Sequence, residues 1–262
     1  MKNRIPSSPL SMQHLLEKAL RHNDIVPYLQ PIVCSKKKIV IGCEILARWQ
    51  HPTLGSISPE MFIPLIEKRE IIISMTRELM HEVRVVLAPL AYTLPEKFHF
   101  SLNITAQHCE LVTLIQDCKF FTEAFSDNPI TLTLEITERE IIPKTPMSEL
   151  VFKQLSKLGV MIAIDDFGVG YSNLGYLQEF NFDIVKIDKS FIRSIGIHSI
   201  SEHIIASIVS LSTKLNMLTI AEGVENQSQA DILKKLNVDY LQGYYYGHPV
   251  PVKSFIAECI NR

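Results

Sequence analysis

The chain has 262 residues, 47% of them hydrophobic and 21% charged, with a formal net charge of −2. That length suits one large domain with a substantial core, and the near-neutral charge argues against a nucleic-acid polymer held by electrostatics. The five cysteines (Cys34, Cys43, Cys109, Cys118, Cys259) form no C-x-x-C pair, and neither a signal-peptide stretch nor a membrane-length apolar run is present, so a cytoplasmic protein, or a cytoplasmic domain of a longer one, is expected.

Residues 1–10 are rich in Pro and Ser and read as a flexible N-terminal segment, leaving 11–262 as a single domain. Ser11 is placed to cap a helix over 12–22. Residues 26–33 (VPYLQPIV) and 39–49 (IVIGCEILARW) read as two strands joined by the Ser35–Lys38 turn, that is, a hairpin. Helices follow over 59–68, with Pro59 at the first position, and 71–87. From residue 98 the pattern repeats as strand then helix: strand 98–104, helix 107–125, strand 130–136, helix 147–158 stopping at Gly159, and strand 160–165. Strands at 183–187, 217–221 and 238–241 complete the set, with helices near 200–215, 228–236 and 252–260. Eight strands in an alternating α/β chain of this length favour a closed (β/α)8 TIM-like barrel over an open sheet. No G-x-G-x-x-G or G-x-x-x-x-G-K follows a strand, which argues against a nucleotide-binding open sheet.

Chemistry on such a barrel gathers at the C-terminal ends of the strands. The residues falling there are Glu44 and Arg48, Asn103, Glu135 with Glu138 beyond it, Asp165 and Asp166, Lys186 and Asp188, Glu222 and Glu225, then Gln242 and Tyr244. Barrel closure would bring Glu44, Asn103, Glu135, Asp165, Asp166 and Glu222 to one mouth. Carboxylates this close repel one another and need cations to offset them. An all-oxygen donor set suits Mg²⁺ or Mn²⁺ rather than zinc. There are enough oxygens for two ions sharing a carboxylate, an arrangement able to activate water and stabilise a leaving oxygen at phosphorus. Arg48 could then pair with a phosphate oxygen in fork geometry, and Lys186 could hold or deprotonate the attacking water. The nine histidines do not cluster; His51 reads as a loop residue and His99 as a strand residue.

The motifs Gln30-Pro31-Ile32, Glu44-Ile45-Leu46-x-Arg48-Trp49, Asn103, Leu134-Glu135-Ile136-Thr137-Glu138, Asp165-Asp166-Phe167-Gly168-x-Gly170-Tyr171-Ser172, Lys186-Ile187-Asp188, Ala221-Glu222-Gly223-Val224-Glu225 and Gln242-Gly243-Tyr244 occur in this order. Together they resemble the EAL-domain family of bacterial cyclic di-GMP phosphodiesterases, over about residues 12–260. The resemblance implies a barrel with one antiparallel strand, consistent with the hairpin. It implies one metal held by Glu44, Asn103, Glu135 and Asp165, and a second held by Asp165 and Asp166 with Glu222 close by. Glu44, Lys186 and Glu222 would serve the reaction, Lys186 by positioning the water. Glu138 would anchor the loop after Asp166. Gln30, Leu46, Ala47, Arg48, Lys186, Glu222, Gly223, Val224, Glu225, Gln242 and Tyr244 would contact the dinucleotide. The implied activity is hydrolysis of cyclic di-GMP to linear pGpG with two Mg²⁺ or Mn²⁺ ions, with Ca²⁺ inhibitory, in a homodimer that lowers a second messenger in bacterial signalling. The alternative is a non-catalytic cyclic di-GMP receptor acting through a protein partner. Ile45 stands where the family signature has a small Ala, Val169 where Thr is common and Asn173 where Ser is common, and Asn181-Phe182 replaces a Pro-containing turn.

Overall fold

The computed structural model describes residues 9–67, 70–170, 180–197 and 199–261. Its strands are β1 (Ile25–Cys34), β2 (Val40–His51), β3 (Gly55–Ile57), β4 (His99–Asn103), β5 (Thr131–Thr137), β6 (Met161–Phe167), β7 (Ile184–Ile187), β8 (Leu218–Ala221), β9 (Tyr240–Gln242) and β10 (Val250–Pro251). Eight of them close a barrel in the order β1-β2-β4-β5-β6-β7-β8-β9, with β9 returning to β1. Every neighbouring pair from β2 to β9 is parallel, whereas β1 runs antiparallel to both β2 and β9. The hairpin register Gln30↔Glu44 sets these two polar side chains at one level. All eight barrel strands coincide with predicted ones; the additions, β3 and β10, are short edge pieces of three and two residues.

The helices are α1 (Pro9–Arg21), α2 (Pro59–Ile66), α3 (Ile71–Leu87), α4 (Val112–Glu123), α5 (Pro146–Lys157), α6 (Lys189–Arg193), α7 (Ser199–Lys214) and α8 (Gln227–Lys235). They cover the barrel's outer surface, where outward-facing strand residues meet buried helix residues in one continuous core. Edge-on aromatic pairs mark that layer: Trp49 of β2 on Phe62 of α2 at 5.5 Å, and Phe100 of β4 on Phe121 of α4 at 5.5 Å. The barrel interior holds a separate, smaller apolar plug of Ala163, Ile184 and Ile220, with Met161, Leu218 and Tyr240 against it. Its upper half is polar, and there the site sits.

Several local expectations need correction. Residues 1–8 of the proposed flexible segment lie outside the described residues, and Ser11 falls inside α1 rather than at its cap. The single helix expected over 107–125 is a 3₁₀ turn, His108–Glu110, followed by α4. The cause is His108, whose ring Nδ1 takes the Thr105 backbone N–H at 3.1 Å and tightens the chain before α4 can begin. The last helix is likewise split, into a 3₁₀ turn at Val252–Ser254 and a π-type turn at Ile256–Ile260. His51 ends β2 rather than lying in a loop, and its Nδ1 accepts the Thr53 N–H at 3.2 Å. Strand β6 runs two residues beyond its expected end, through Asp166 and Phe167.

Helix α5 starts on a reciprocal cap: Thr145 Oγ1 accepts from Ser148 N at 3.1 Å, and Ser148 Oγ accepts from Thr145 N at 3.0 Å. It stops at Gly159, whose φ of +73° is the left-handed cap foreseen there. Thr145→Ala is expected to lower stability by about 1 kcal/mol, read as an earlier midpoint in a urea melt with an unchanged slope.

Candidate active site

The strand ends deliver their side chains as the barrel geometry requires. Lys186 of β7, 1% exposed, points up the barrel axis into a ring of acids. Its Nζ lies 2.6 Å from Glu135 Oε2, 2.7 Å from Glu222 Oε1, 3.1 Å from Asp165 Oδ1 and 3.8 Å from Glu44 Oε2. One ammonium thus faces four carboxylates drawn from β2, β5, β6 and the end of β8. Glu44 is held from both sides: Asn103 Nδ2 donates to Oε1 at 2.8 Å and Gln242 Nε2 donates to Oε2 at 2.6 Å. Gln242 Nε2 also reaches Gln30 Oε1 at 3.3 Å, tying the antiparallel strand to the same cluster.

Asp165 and Asp166 are set apart by a break in the strand. The pairing of β6 with β7 shifts register between Ile164 and Phe167, and Asp166 takes φ = +53°. That irregularity is a bulge, and it aims consecutive side chains where a regular strand would send them to opposite faces. Asp166 N donates to Asp165 Oδ1 at 2.9 Å, and the Asp166 carboxyl lies beside that of Asp188. Asp188 in turn caps α6 by accepting from Ser190 N at 2.8 Å.

The electrostatics follow from too few cations. Burial, reinforced by Asp165 and Asp188, lifts Asp166 to about 6. Burial lifts Glu222 to about 8; Lys186 opposes the rise while Asp165 and Glu44 add to it. Glu135 is raised well above the carboxylate range by burial, against the pull of Lys186. For Lys186, burial favours the neutral amine, but Asp165, Glu135, Glu222 and Glu44 outweigh it and hold its pKa well above the usual lysine value. In the metal-free site these carboxylates favour its protonated form, a hydrogen-bond donor.

The donor set fits a divalent metal. Asp165, Asp166 and Glu222 each offer an oxygen, all within 4.8 Å of one another. Glu135 Oε1 is fully buried with no hydrogen-bond partner, an expensive state for a carboxylate oxygen unless a cation takes it. All the candidate donors are oxygens, Asn103 having its Oδ1 to offer while its Nδ2 donates to Glu44.

The residues expected to contact a ligand fall into two adjoining depressions. Gln30, Glu222, Gly223, Glu225, Gln242 and Tyr244 line one, joined by Lys189 and Arg193 of α6. Leu46, Ala47, Arg48 and Asn103 line the other, a cleft of about 360 Å³ whose apolar wall comes from Ile63 and Pro64 of α2 and Met75 and Leu79 of α3. Val224 departs from expectation: its side chain is 0% exposed in the core, and only its backbone serves the rim, donating to Gln242 O at 3.0 Å. Glu138 Oε2 accepts from Gly168 N at 2.9 Å and Gly170 N at 3.1 Å. Tyr171, Ser172 and Asn173 lie outside the described residues, while Val169 is 42% exposed. Ile45, beside Glu44, is buried on the outer face of β2. The α2–α3 wall and the α6 cations escaped the sequence reading because apolar helix residues and surface lysines carry no local mark of a binding role.

Fold and site together define a (β/α)8 barrel with an acid-ringed mouth suited to a divalent cation. The chain belongs to the EAL domain family, whose model matches residues 13–249. It is 40% identical over 244 residues, 93% of this chain and 67% of the relative, to cyclic di-GMP phosphodiesterase PdeL of Escherichia coli strain K12. It is 38% identical over 241 residues to probable cyclic di-GMP phosphodiesterase PdeG of the same strain, covering 91% of this chain and 47% of PdeG. The chain spans under half the length of six other curated relatives. Among solved structures, the PaMucR phosphodiesterase in complex with c-di-GMP superposes with a TM-score of 0.82 at 32% identity, over 94% of this chain and 99% of that one. Among the described residues no helix is long and apolar enough to cross a membrane.

The raised carboxyls predict a distinctive pH response. Glu222 and Asp166 hold protons more tightly folded than unfolded, so each contributes stability at low pH that is lost as pH rises through its folded value. In metal-free protein that loss runs from about 4 to 8, bounded by the ordinary carboxylate values and by about 6 and about 8. A thermal melt in chelator should therefore show the melting temperature falling across that window. Added Mn²⁺ should raise it most at the alkaline end, where the ligands are ionised.

Proposed function

We propose that this chain hydrolyses cyclic di-GMP to linear pGpG in a divalent-metal-dependent reaction. The observation that carries the reading is the ring of Glu44, Glu135, Asp165 and Glu222 about Lys186, with a buried carboxylate oxygen left over. Names of the relatives and the solved complex supply the substrate.

Glu44, Asn103, Glu135 and Asp165 would hold one Mg²⁺ or Mn²⁺, and Asp165 and Asp166, with Glu222 near, a second. Such ions supply Lewis-acid charge at the phosphate and lower the pKa of water. The chain's own groups do the remaining work. Lys186, central among these carboxylates, would orient the attacking water by a hydrogen bond. The water oxygen would bond to phosphorus as the P–O3′ bond breaks in line; one hydrogen of the water ends on the departing 3′ oxygen and the other on the new phosphate or in solvent, so one water is added across the bond. Gln242 and Asn103 keep Glu44 from turning as charge shifts. Arg48, which lines the apolar cleft with Ile63 and Pro64, would pair with a phosphate oxygen of the substrate, and a purine face would cover the two apolar residues.

A product assay by chromatography tests the reading: pGpG should accumulate with Mg²⁺ or Mn²⁺ and not with chelator. Excess Ca²⁺ should suppress it, since Ca²⁺ accepts looser coordination. Tight binding with no product after prolonged incubation would make the chain a receptor instead. Glu44→Ala should abolish metal-supported turnover. Lys186→Ala should lower kcat by about 100-fold or more, by analogy with the loss of one preorganised donor, and should change cyclic di-GMP affinity far less.

A further inference from the structure

Helix α6 is a single turn wedged between the two bends that carry the outer acids. Its cap, Asp188, accepts from Ser190 N and lies beside the Asp166 carboxyl. At Gly223, next to Glu222, an added β-carbon would fall 2.6 Å from Lys189 Cβ, so the Glu222 bend is pressed directly on the helix. At Gly168, two residues beyond Asp166, φ is +97°, and an added β-carbon would lie 2.8 Å from Phe191 Cε2 and 3.1 Å from Cζ. The Phe191 ring therefore occupies the place where any other residue would carry its side chain.

Gly168 is gripped from a second direction, since its N–H is the one donated to Glu138 at 2.9 Å. The ring packs against the buried core. Ile208 of α7 also comes within 3.7 Å of the same added β-carbon, and Gln229 Nε2 of α8 donates to Ile192 O at 3.2 Å, tying α6 to a neighbouring helix. A glycine at positive φ has wide conformational freedom, so without the ring Gly168 would lose one of the contacts that hold it against Glu138. The bend would then be free to relax, and Asp166 with it.

We propose that Phe191 is a positioning residue whose ring clamps Gly168 against Glu138 and so holds the Asp165-Asp166 bend in the arrangement a divalent cation requires. This rests on the phosphodiesterase reading of the site. Its test compares the full chain with Phe191→Ala and Phe191→Leu by free-Mn²⁺ electron paramagnetic resonance, by amide exchange in metal-free protein and by turnover. Phe191→Ala should weaken Mn²⁺ binding about tenfold or more, the range found when the support of a metal ligand is removed. The Gly168 and Gly170 amides should exchange faster, and half-maximal turnover should need correspondingly more Mn²⁺. At saturating Mn²⁺ the KM for cyclic di-GMP should stay within about threefold of wild type. Phe191→Leu, which retains an apolar contact, should fall between the two, and it decides by the same measures if the alanine variant does not fold. A folded variant with wild-type Mn²⁺ affinity and wild-type amide exchange overturns the proposal even if it melts earlier, because a ring that only fills space would cost stability and nothing else. Loss of Mn²⁺ affinity in a chain whose wild type makes no pGpG would uphold the clamp and refute the phosphodiesterase reading.

Discussion

One ammonium facing four carboxylates is the constraint on which the rest of this structure depends. Lys186 cannot leave, because the acids around it would be stranded in a site of low dielectric, and they cannot spread, because four strand ends fix their origins. The charges do not balance, and the barrel is built around the deficit. In the absence of other cations, burial and the crowding of acids push the Glu222 and Asp166 carboxyls toward their neutral forms. The same arrangement makes the site a sink for divalent metal.

Holding such a cluster requires a surrounding layer of neutral polar groups. Gln242 and Asn103 grip Glu44, and Gln30 joins them from the antiparallel strand. These partners come from strands far apart in sequence, so the site is a product of barrel closure. Below it lies a small apolar plug around Ala163, Ile184 and Ile220.

The barrel was legible in the sequence because parallel strands buried on both faces read as apolar runs, and the alternation of strand and helix admits few topologies. The acids were legible because each follows such a run at its C-terminal end. What escaped was decided by tertiary contact. The 3₁₀ turn at His108–Glu110 depends on a ring nitrogen taking a backbone N–H, which no helical periodicity reveals. The bulge at Asp166 depends on pairing with β7, so the two acids seemed to sit on a strand tip when they lie within a distorted strand end. Val224 looked like a rim residue because its neighbours are, yet its side chain faces the core. The apolar wall from α2 and α3 was invisible because Ile63 and Met75 look the same whether they line a cleft or a core.

The reversed direction of β1 has a consequence for how the molecule can be addressed. Since β1 pairs antiparallel with β2, its first residues lie beside Arg48 and Trp49, at the mouth of the barrel. Asp24, just before it, accepts a hydrogen bond from Gln50 N at 2.8 Å. Helix α1 therefore joins the barrel at its working rim and packs on α2 and α3, the helices that wall the apolar cleft. In an all-parallel barrel the incoming chain would arrive at the floor, a full strand length from the acids. Here the lever for tuning the cleft is short, because a torque on α1 reaches the lip through one layer of side chains.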